Sequence, residues 1–409
     1  MSRPLLLRHA QVLDVEEGTY LEDHDVLAVD GHIAELGRAI RGPDDVDVLD
    51  AAGGVVVPGL IDAHVHVTAA TADLAALTGW PPSYVTAHTA RIMRGMLERG
   101  FTTVRDVSGA DFGVAQAQEE GLIEGPRVLF CGKALSQTGG HGDNRSAGQH
   151  VITDHACCAG LGRVADGVDA VRTAARDELR KGAHHIKVMA SGGVASPTDR
   201  VDSTQYSMEE LRAAVEEATA ANRYVAAHAY SAHAVNRALQ AGIRSIEHGN
   251  LLDDESVRLL RENDAFLVPT LVTYWALKEE GIAHGLPRSS WDKVDAVLDA
   301  GIGALERAAR GGVRLVYGSD LLGGMHRHQA REFRIRADIQ PVLDVLRSAT
   351  TVAAELLDLV GKSGTVAPGA RADLLLLDGD PLTDIGVLAD PARHLRCVVQ
   401  RGRVVVDRR

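Results

Sequence analysis

The sequence predicts an α/β fold: a (β/α)8 TIM-like barrel with a small β-sandwich domain formed from both chain ends. Three observations carry this. Between Pro58 and about Gly361, short β-branched runs alternate with helical stretches. Eight such alternations over roughly 300 residues fit a closed barrel better than an open doubly wound sheet. The two ends, by contrast, are short strands with tight turns, and neither end can bury its apolar faces alone. The domains are therefore expected at 1–57 joined by 362–409, and at 58–361.

In chain order, Leu5 to Val15 reads as the first strand, and Val26 to Leu36 as a hairpin turning at Asp30-Gly31. Val46–Leu49 and Val55–Val57 follow. The barrel strands are expected at Ile61–Val67, Thr102–Val107, Arg127–Cys131, His185–Ala190, Tyr224–Ala229, Ser245–His248, Phe266–Leu271 and Arg314–Gly318. Helices are expected over Val85–Arg99, Val168–Lys181, Ser207–Asn222, Ser231–Ala241, Asp253–Asn263, Trp291–Arg310 and Pro341–Val360. Ser207, with Glu210 three residues on, is a capping-box start. From Gly132 to Gly167 a Gly-rich, Cys-containing excursion breaks the rhythm after the third strand. In a barrel it lies at the C-terminal mouth, where long loops usually serve function. At the far end, Asp373–Leu377 stops at Asp378-Gly379, and Cys397–Val399 turns through Gln400-Arg401-Gly402-Arg403 into Val404–Val406.

The bulk properties exclude several classes. A net charge of −13 with no long basic run argues against nucleic acid as a partner. No window approaches the ~18 consecutive apolar residues of a membrane helix. The stretch from Met1 to His9 lacks the apolar core and cleavage site of a secretory signal and reads as the opening strand. Of the four cysteines, Cys131, Cys157, Cys158 and Cys397, no two form a C-x-x-C, and the adjacent pair is poorly placed to bridge. A reducing cytoplasm is the simplest inference. A small molecule is the expected partner.

The chemistry is organised around Pro58-Gly59-Leu60-Ile61-Asp62-Ala63-His64-Val65-His66-Val67. On a strand, His64 and His66 project from one face, close enough to grip one ion. Reacting groups of a barrel sit at the C-terminal ends of its strands. Reading those ends in turn collects Lys187 from the fourth strand, His228 from the fifth, His248 from the sixth and Asp320 after the eighth. Four histidines and an aspartate suit zinc or a similar divalent ion. A lysine ammonium beside such ions would be repelled, but buried lysines lose their proton readily. Carboxylation by CO2 would turn Lys187 into an anion able to bridge two metals. Any one of these residues alone would more often be a hydrogen-bonded core histidine or a solvated lysine. Six in barrel order are hard to explain that way.

With these motifs the chain resembles the amidohydrolase superfamily, in its binuclear branch with a carboxylated lysine. The likeness covers essentially the whole length. Pro-Gly-Leu-Ile-Asp-Ala-His-Val-His is its opening motif, and Lys-Val-Met-Ala-Ser-Gly-Gly, His-Ala-Tyr, Glu-His-Gly and Gly-Ser-Asp stand where its later motifs belong. Gly139-Gly140-His141-Gly142-Asp143 and the run from Asp320 to Arg327 are similar to the Xaa-Pro and Xaa-Arg dipeptidases. That group also takes in related N-acyl amino acid hydrolases and ochratoxin- and phenylurea-cleaving relatives. The resemblance implies two divalent metal ions, expected to be zinc. One is held by His64, His66 and Asp320, the other by His228 and His248, with N6-carboxylated Lys187 between them. It implies a metal-bridging hydroxide that attacks an amide carbonyl of a dipeptide or N-acyl amino acid. Asp320 then takes the proton of that hydroxide and passes it to the leaving amine. A homo-oligomer is also implied.

Several assignments stay open on the residues alone. Tyr230, two beyond His228, shares its face and could donate to the developing oxyanion, or could simply fill the barrel rim. His141 could bind a substrate carboxylate or carbonyl, or pack against the loop. Arg327, with its neighbours His326 and His328, could reach the pocket, where a guanidinium suits a carboxylate, or lie at the surface. His185 is expected to be a structural hydrogen-bonding residue, and Asp106 to support the site rather than react. The competing readings are a cyclic amide or amidine hydrolase (imidazolonepropionase-like, or a deaminase), a carbamate, phenylurea or mycotoxin amidase, and a non-catalytic barrel. A single metal with unmodified Lys187 would favour the first of these.

Overall fold

In the computed structural model of the chain, which describes residues 3–146, 148–149 and 159–409, the two chain ends meet in one sheet. Its order is Arg403–Asp407, Leu395–Gln400, Leu374–Leu377, Val55–Pro58, Leu5–Asp14, Thr19–Val29 and His32–Gly37, with Asp47–Asp50 also paired to Leu5–Asp14. The joint is the antiparallel pairing of Leu374–Leu377 with Val55–Pro58. Period-two alternation sends Leu5, Leu7, Val26, Ala28, Val56, Leu374, Leu376 and Val399 into one core, and Leu6 and Leu27 into a second on the opposite face. The sheet thus carries buried apolar residues on both faces. Asp30 and Gly31 take φ of 48° and 80°, the two left-handed residues of a type I′ hairpin turn. By compactness the chain divides into residues 1–62, 95–103 and 330–409 as one unit and 63–94 with 104–329 as another.

The barrel strands are β1 (Leu60–Val65), β2 (Phe101–Asp106), β3 (Arg127–Phe130), β4 (Ile186–Met189), β5 (Val225–Ser231), β6 (Ser245–Leu251), β7 (Phe266–Val268) and β8 (Arg314–Leu315). β4 to β8 pair in parallel in sequence order, and β1, β2 and β3 form a further run. Backbone bonds join the two runs. At one seam the His184 N–H donates to the Phe130 carbonyl at 2.8 Å. At the other, the Ala63 N–H donates to Tyr317 at 2.8 Å and the Asp320 N–H to His64 at 2.8 Å. These bonds close the cylinder, which has the architecture expected from the sequence.

The excursion after β3 is more regular than its composition suggests. Ala134–Ser136 and Gly162–Val164 pair in parallel, and Leu135 pairs with Val188 of β4. Cys157 and Cys158 lie outside the described residues; Cys131 and Cys397 are buried free thiols. The capping box forms as expected, with the Ser207 hydroxyl accepting from the Glu210 N–H and the Glu210 carboxylate accepting from the Ser207 N–H. Two expected helices are each broken in two. Trp291–Arg310 resolves into Arg288–Trp291 and Asp295–Arg310. Pro341–Val360 resolves into Val342–Ser348 and Thr351–Leu356. In the second case the Ser348 and Thr350 hydroxyls donate back to Val345 and Leu346 carbonyls, the local competition that ends helices. The break frees the Ala349 carbonyl to accept from the Ile61 N–H at 2.8 Å. No helix among the described residues is long and apolar enough to cross a membrane.

The β3–β4 seam carries a titration. The Phe130 N–H donates to His184 Nδ1 at 3.2 Å, so that nitrogen must be unprotonated. Burial, with Arg223 and Arg127 nearby, pulls His184 down from 6.5 to about 4. A histidine depressed in the folded state contributes stability that is present above pH 6.5 and lost as pH falls toward 4. His184→Gln, which keeps an acceptor but cannot titrate, should show a flatter fall in urea midpoint between pH 6.5 and 4.5 than the wild type. Parallel pH dependences would contradict the assignment.

Candidate metal centre and active site

His64 and His66, on alternate positions at the end of β1, are turned by different anchors. His64 Nδ1 lies 2.7 Å from Glu247 Oε2, and His66 Nδ1 lies 2.9 Å from the Ser108 carbonyl oxygen. Each ring therefore presents Nε2 to the cavity. These two nitrogens lie 3.4 and 3.1 Å from Asp320 Oδ1. Donor atoms of His64, His66 and Asp320 all fall within 4.8 Å of one another, a spacing that can hold a metal ion.

The other two histidines follow the same rule. His248 Nδ1 lies 2.7 Å from Thr270 Oγ1, leaving Nε2 free. His228 Nε2 lies 3.1 Å from the Gly192 carbonyl oxygen, leaving Nδ1 free. Their ring centroids are 4.6 Å apart, and His248 lies 4.9 Å from His64. Lys187, 2% exposed, lines the same cavity as these four histidines and Asp320. Burial pushes its amine below the ordinary lysine value. So the six residues collected from strand ends share one cavity, and all four imidazoles keep one nitrogen for the protein.

Backbone strain marks the same residues. His248, Thr270 and Asp320 have φ of 76°, 49° and 52°. For residues with a Cβ, each such conformation costs on the order of 1–3 kcal/mol. At His248 the reason is visible. Strict strand alternation would send Glu247 and His248 to opposite faces. Both instead contact His64, because the left-handed residue breaks the alternation. Gly318 serves the opposite need: a Cβ there would come within 2.8 Å of the His64 Cβ and 2.3 Å of a Val268 methyl.

Beneath His64 lies a buried ion pair that no sequence motif flagged. Arg105 Nη2 lies 2.8 Å from Glu247 Oε1 and 2.9 Å from Oε2, and the Ser245 hydroxyl donates to Oε1 at 2.6 Å. Arg105, Glu247 and Ser245 are each 0% exposed. Burial alone would raise the Glu247 carboxyl, but the Arg105 guanidinium and His64 hold it well below its ordinary range. Burial likewise opposes ionisation of Asp320, and His64 and His66 overcome it. The only sequence signal for Glu247 is its place before His248; Arg105 carries none.

The remaining expected residues divide. Tyr230 lines the cavity, with its ring 4.7 Å from His228, and shares a hydroxyl–hydroxyl bond of 3.1 Å with Tyr274. His141 lines it too, stacked on His228 at 4.1 Å, with Nδ1 2.8 Å from the Ser196 hydroxyl. Asp106 accepts from the Val67, Ser108 and Ala110 N–H groups, so it shapes the loop under His66, and burial pushes it up to about 6. Arg327 does not join them. Its guanidinium pairs with Glu280 and donates to the Gly324 carbonyl, and half of its side chain is exposed. His328 binds the same Glu280 carboxylate at 2.9 Å, and His326 is buried with Nε2 3.3 Å from the Ala69 carbonyl oxygen. The expectation for His185 is also corrected. Its ring stacks on Tyr224 at 5.5 Å and neither buried nitrogen has a hydrogen-bond partner among the described residues, so it serves by packing.

A closed parallel barrel with a histidine–aspartate group at the carboxyl ends of its strands has the architecture of a barrel enzyme with a candidate metal centre. Residues 55–405 match the amidohydrolase family, and the chain belongs to it. It is 49% identical to a prolidase solved with N-methylphosphonate-L-proline, with a TM-score of 0.96 over 99% of this chain and 100% of that one. It is 34% identical to the ochratoxinase of Aspergillus niger over 351 residues, 82% of this chain and 73% of that protein. A Xaa-Pro dipeptidase solved with methionine in its active site is 26% identical, with a TM-score of 0.87 over 98% of this chain and 99% of that one. The chain is a hydrolase acting on amide bonds.

Removing Arg105 tests the buried pair. Arg105→Met should leave the buried Glu247 carboxylate without its cation and lower stability by about 3–5 kcal/mol, the usual cost of breaking such a pair. Urea unfolding at neutral pH measures it; a loss under about 1 kcal/mol, the scale of an exposed pair, would contradict the account.

Proposed function

We propose that the protein is a metal-dependent dipeptidase of the prolidase type, or an N-acyl amino acid amidohydrolase, working with two divalent ions, zinc by preference. The observation that carries this reading is the set of four imidazoles, each anchored to the protein through one nitrogen, gathered around Asp320 and Lys187. His64, His66 and Asp320 would hold one ion and His228 and His248 the other. Lys187, whose amine burial pushes below its ordinary value, would add to CO2 as a carbamate, release one proton, and hold both ions. Bound there, the metals would supply Lewis acidity and a nucleophile active at neutral pH.

The chain's own residues do the rest. Asp320, held ionised beside His64 and His66, would accept the nucleophile's proton and return it to the leaving amine. Tyr230 donates its hydroxyl to the oxygen that gains charge as the amide is attacked. His141, whose Nδ1 faces Ser196 and Asp199, offers Nε2 to the carboxylate of the amino acid product. Leu74, Leu161, Val194, Leu277 and Leu322 line the cavity and favour an aliphatic or ring side chain such as proline. Arg327, tied to Glu280, is dropped from the substrate contacts. Likeness to ochratoxinase supports a second reading of the same chemistry, a mycotoxin amidase. The single-ion alternative, a cyclic amide or amidine hydrolase, rests on the compactness of the His64, His66 and Asp320 group alone. The reading includes a cytoplasmic homo-oligomer with a barrel of residues 58–361 and a terminal domain of 1–57 with 362–409, acting on small molecules and not on nucleic acid or membrane.

The test is a screen of L-Xaa-L-Pro, other L-Xaa-L-Xaa and N-acyl amino acids, with metal content measured in parallel. Turnover of L-Xaa-L-Pro or N-acyl amino acids by protein that retains its metal is expected; hydrolysis confined to cyclic amides or amidines would overturn the reading. Lys187→Ala should lose metal and activity together. A variant with full metal content and unchanged turnover refutes the bridging role.

A further inference from the structure

Two charged side chains outside every motif of the sequence, Lys293 and Asp199, knit together the loop after β4. Lys293 lies between the helices Arg288–Trp291 and Asp295–Arg310, far along the chain from that loop. Its ammonium donates to the carbonyls of Gly193, Ser196 and Asp199 at 3.1, 2.8 and 2.7 Å, and stands 3.5 Å from Asp199 Oδ1. An ammonium has three protons, so this one loop can take all of them. The Asp199 side chain is 2% exposed. Its Oδ1 accepts from the Ser196 hydroxyl, and its Oδ2 accepts from the Gly193 N–H at 3.2 Å and the Gln205 amide at 3.1 Å. Burial opposes its charge, and the neighbouring His141, Ser196 and Lys293 hold it down to about 2.

The same loop holds His141. The ring's Nδ1 lies 2.8 Å from Ser196 Oγ and 3.5 Å from Asp199 Oδ2, and the His141 backbone N–H donates to Gln205 Oε1 at 2.8 Å. A Cβ at Gly193 would stand 2.1 Å from the ring, so imidazole and loop backbone are in direct contact. The carboxylate sets the direction of these bonds, because it can only accept. Ser196 has one proton and gives it to Asp199, so its oxygen offers His141 a lone pair. Nδ1 therefore carries a proton, and Nε2 is the nitrogen left for a ligand. A substrate carboxylate also only accepts, so the ring that binds one carries a proton on Nε2 as well, with Asp199 as the balancing anion. Lys187 apart, no lysine or arginine among the described residues lines the cavity.

We propose that Asp199 and Lys293 are positioning residues for His141: Lys293 clamps the loop after β4, and Asp199 holds the ring with Nδ1 toward that loop and Nε2 toward the substrate carboxylate. The arrangement selects substrates with a free carboxylate over their carboxamides. The inference rests on the assignment of His141 in the proposed function and goes beyond it, to what orients that ring and which substrates it favours.

The experiment compares the fastest L-Xaa-L-Pro or N-acyl amino acid of the screen with its carboxamide. It uses His141→Ala, Asp199→Asn, their double variant, Lys293→Met and Lys293→Gln in the metal-loaded protein. It reads kcat and KM on the acid, kcat/KM of the carboxamide (or its Ki where it is not turned over), and metal retention by chelator competition. The wild type should favour the acid. Asp199→Asn should raise KM for the acid about tenfold, the scale of one charge-assisted hydrogen bond, with kcat within about threefold. It should leave the carboxamide and metal retention unchanged. The double variant should favour the acid no less than His141→Ala alone, because the two residues act as a unit. Lys293→Met should lower the preference for the acid too. Lys293→Gln, which keeps two donors, should lower it less, and it reads the clamp if Lys293→Met fails to fold. Equal losses on acid and carboxamide, additive losses in the double variant, or a wild-type preference in Asp199→Asn would overturn the role of Asp199. A wild-type preference in the Lys293 variants would overturn the clamp. If His141→Ala keeps the wild-type preference, the assignment of His141 itself falls.

Discussion

An imidazole can give its lone pair to a metal only when its other nitrogen holds the proton and has an acceptor for it. That constraint shapes the whole mouth of the barrel. His64 depends on Glu247 from β6, His66 on the carbonyl of Ser108 after β2, His248 on Thr270 after β7, and His228 on the Gly192 carbonyl after β4. Every anchor comes from a different segment than the ring it turns. The arrangement of the four rings is therefore a consequence of barrel register, and a slip of one residue in any strand would turn a ring away. Glu247 carries the constraint one layer deeper, since a carboxylate with no exposure survives only beside a cation, and Arg105 is that cation.

The site is built at a cost to local conformation. Three of its residues, His248, Thr270 and Asp320, hold left-handed backbone, a conformation uncommon for any residue with a Cβ and least favoured at the β-branched Thr270. At His248 the departure brings two successive side chains to the same partner. At Asp320 it coincides with two backbone N–H groups, those of Ser319 and Asp320, both donating to the His64 carbonyl, which ties the carboxylate to the strand that carries the first two histidines. The compact packing of Gly318 against His64 belongs to the same design, because any side chain there would displace the ring. Strain of this kind gathers where geometry is dictated by function rather than by folding.

Much of this was legible in the amino-acid order. Alternation of β-branched runs with helical stretches yields the barrel, and the period of two puts His64 and His66 on one face. Asp30-Gly31 and the Ser207 capping box are local signals whose physics needs no tertiary context. What stayed hidden depends on contacts between distant segments. Arg105 looks like any strand arginine until β2 and β6 are side by side. Glu247 reads as facing away from His248 until the backbone twist at 248 is known. Arg327 has the right chemistry for a carboxylate, but Glu280, on a separate helix, claims it. His185 shares the parity of Lys187, yet it packs on Tyr224 without a hydrogen bond among the described residues. The helix expected across Ala349 and Thr350 fails because hydroxyls turn back on their own carbonyls, a choice that periodicity does not register.

The central claim is that six side chains from five separate segments converge on two cations joined by a modified lysine. Anomalous diffraction from crystals of the purified protein, collected on both sides of the zinc absorption edge, tests it most directly. The account predicts two peaks about 3.5–4 Å apart, the usual separation in two-metal sites, with added density on Lys187 Nζ reaching both. A single peak beside His64, His66 and Asp320, with Lys187 unmodified, would contradict it.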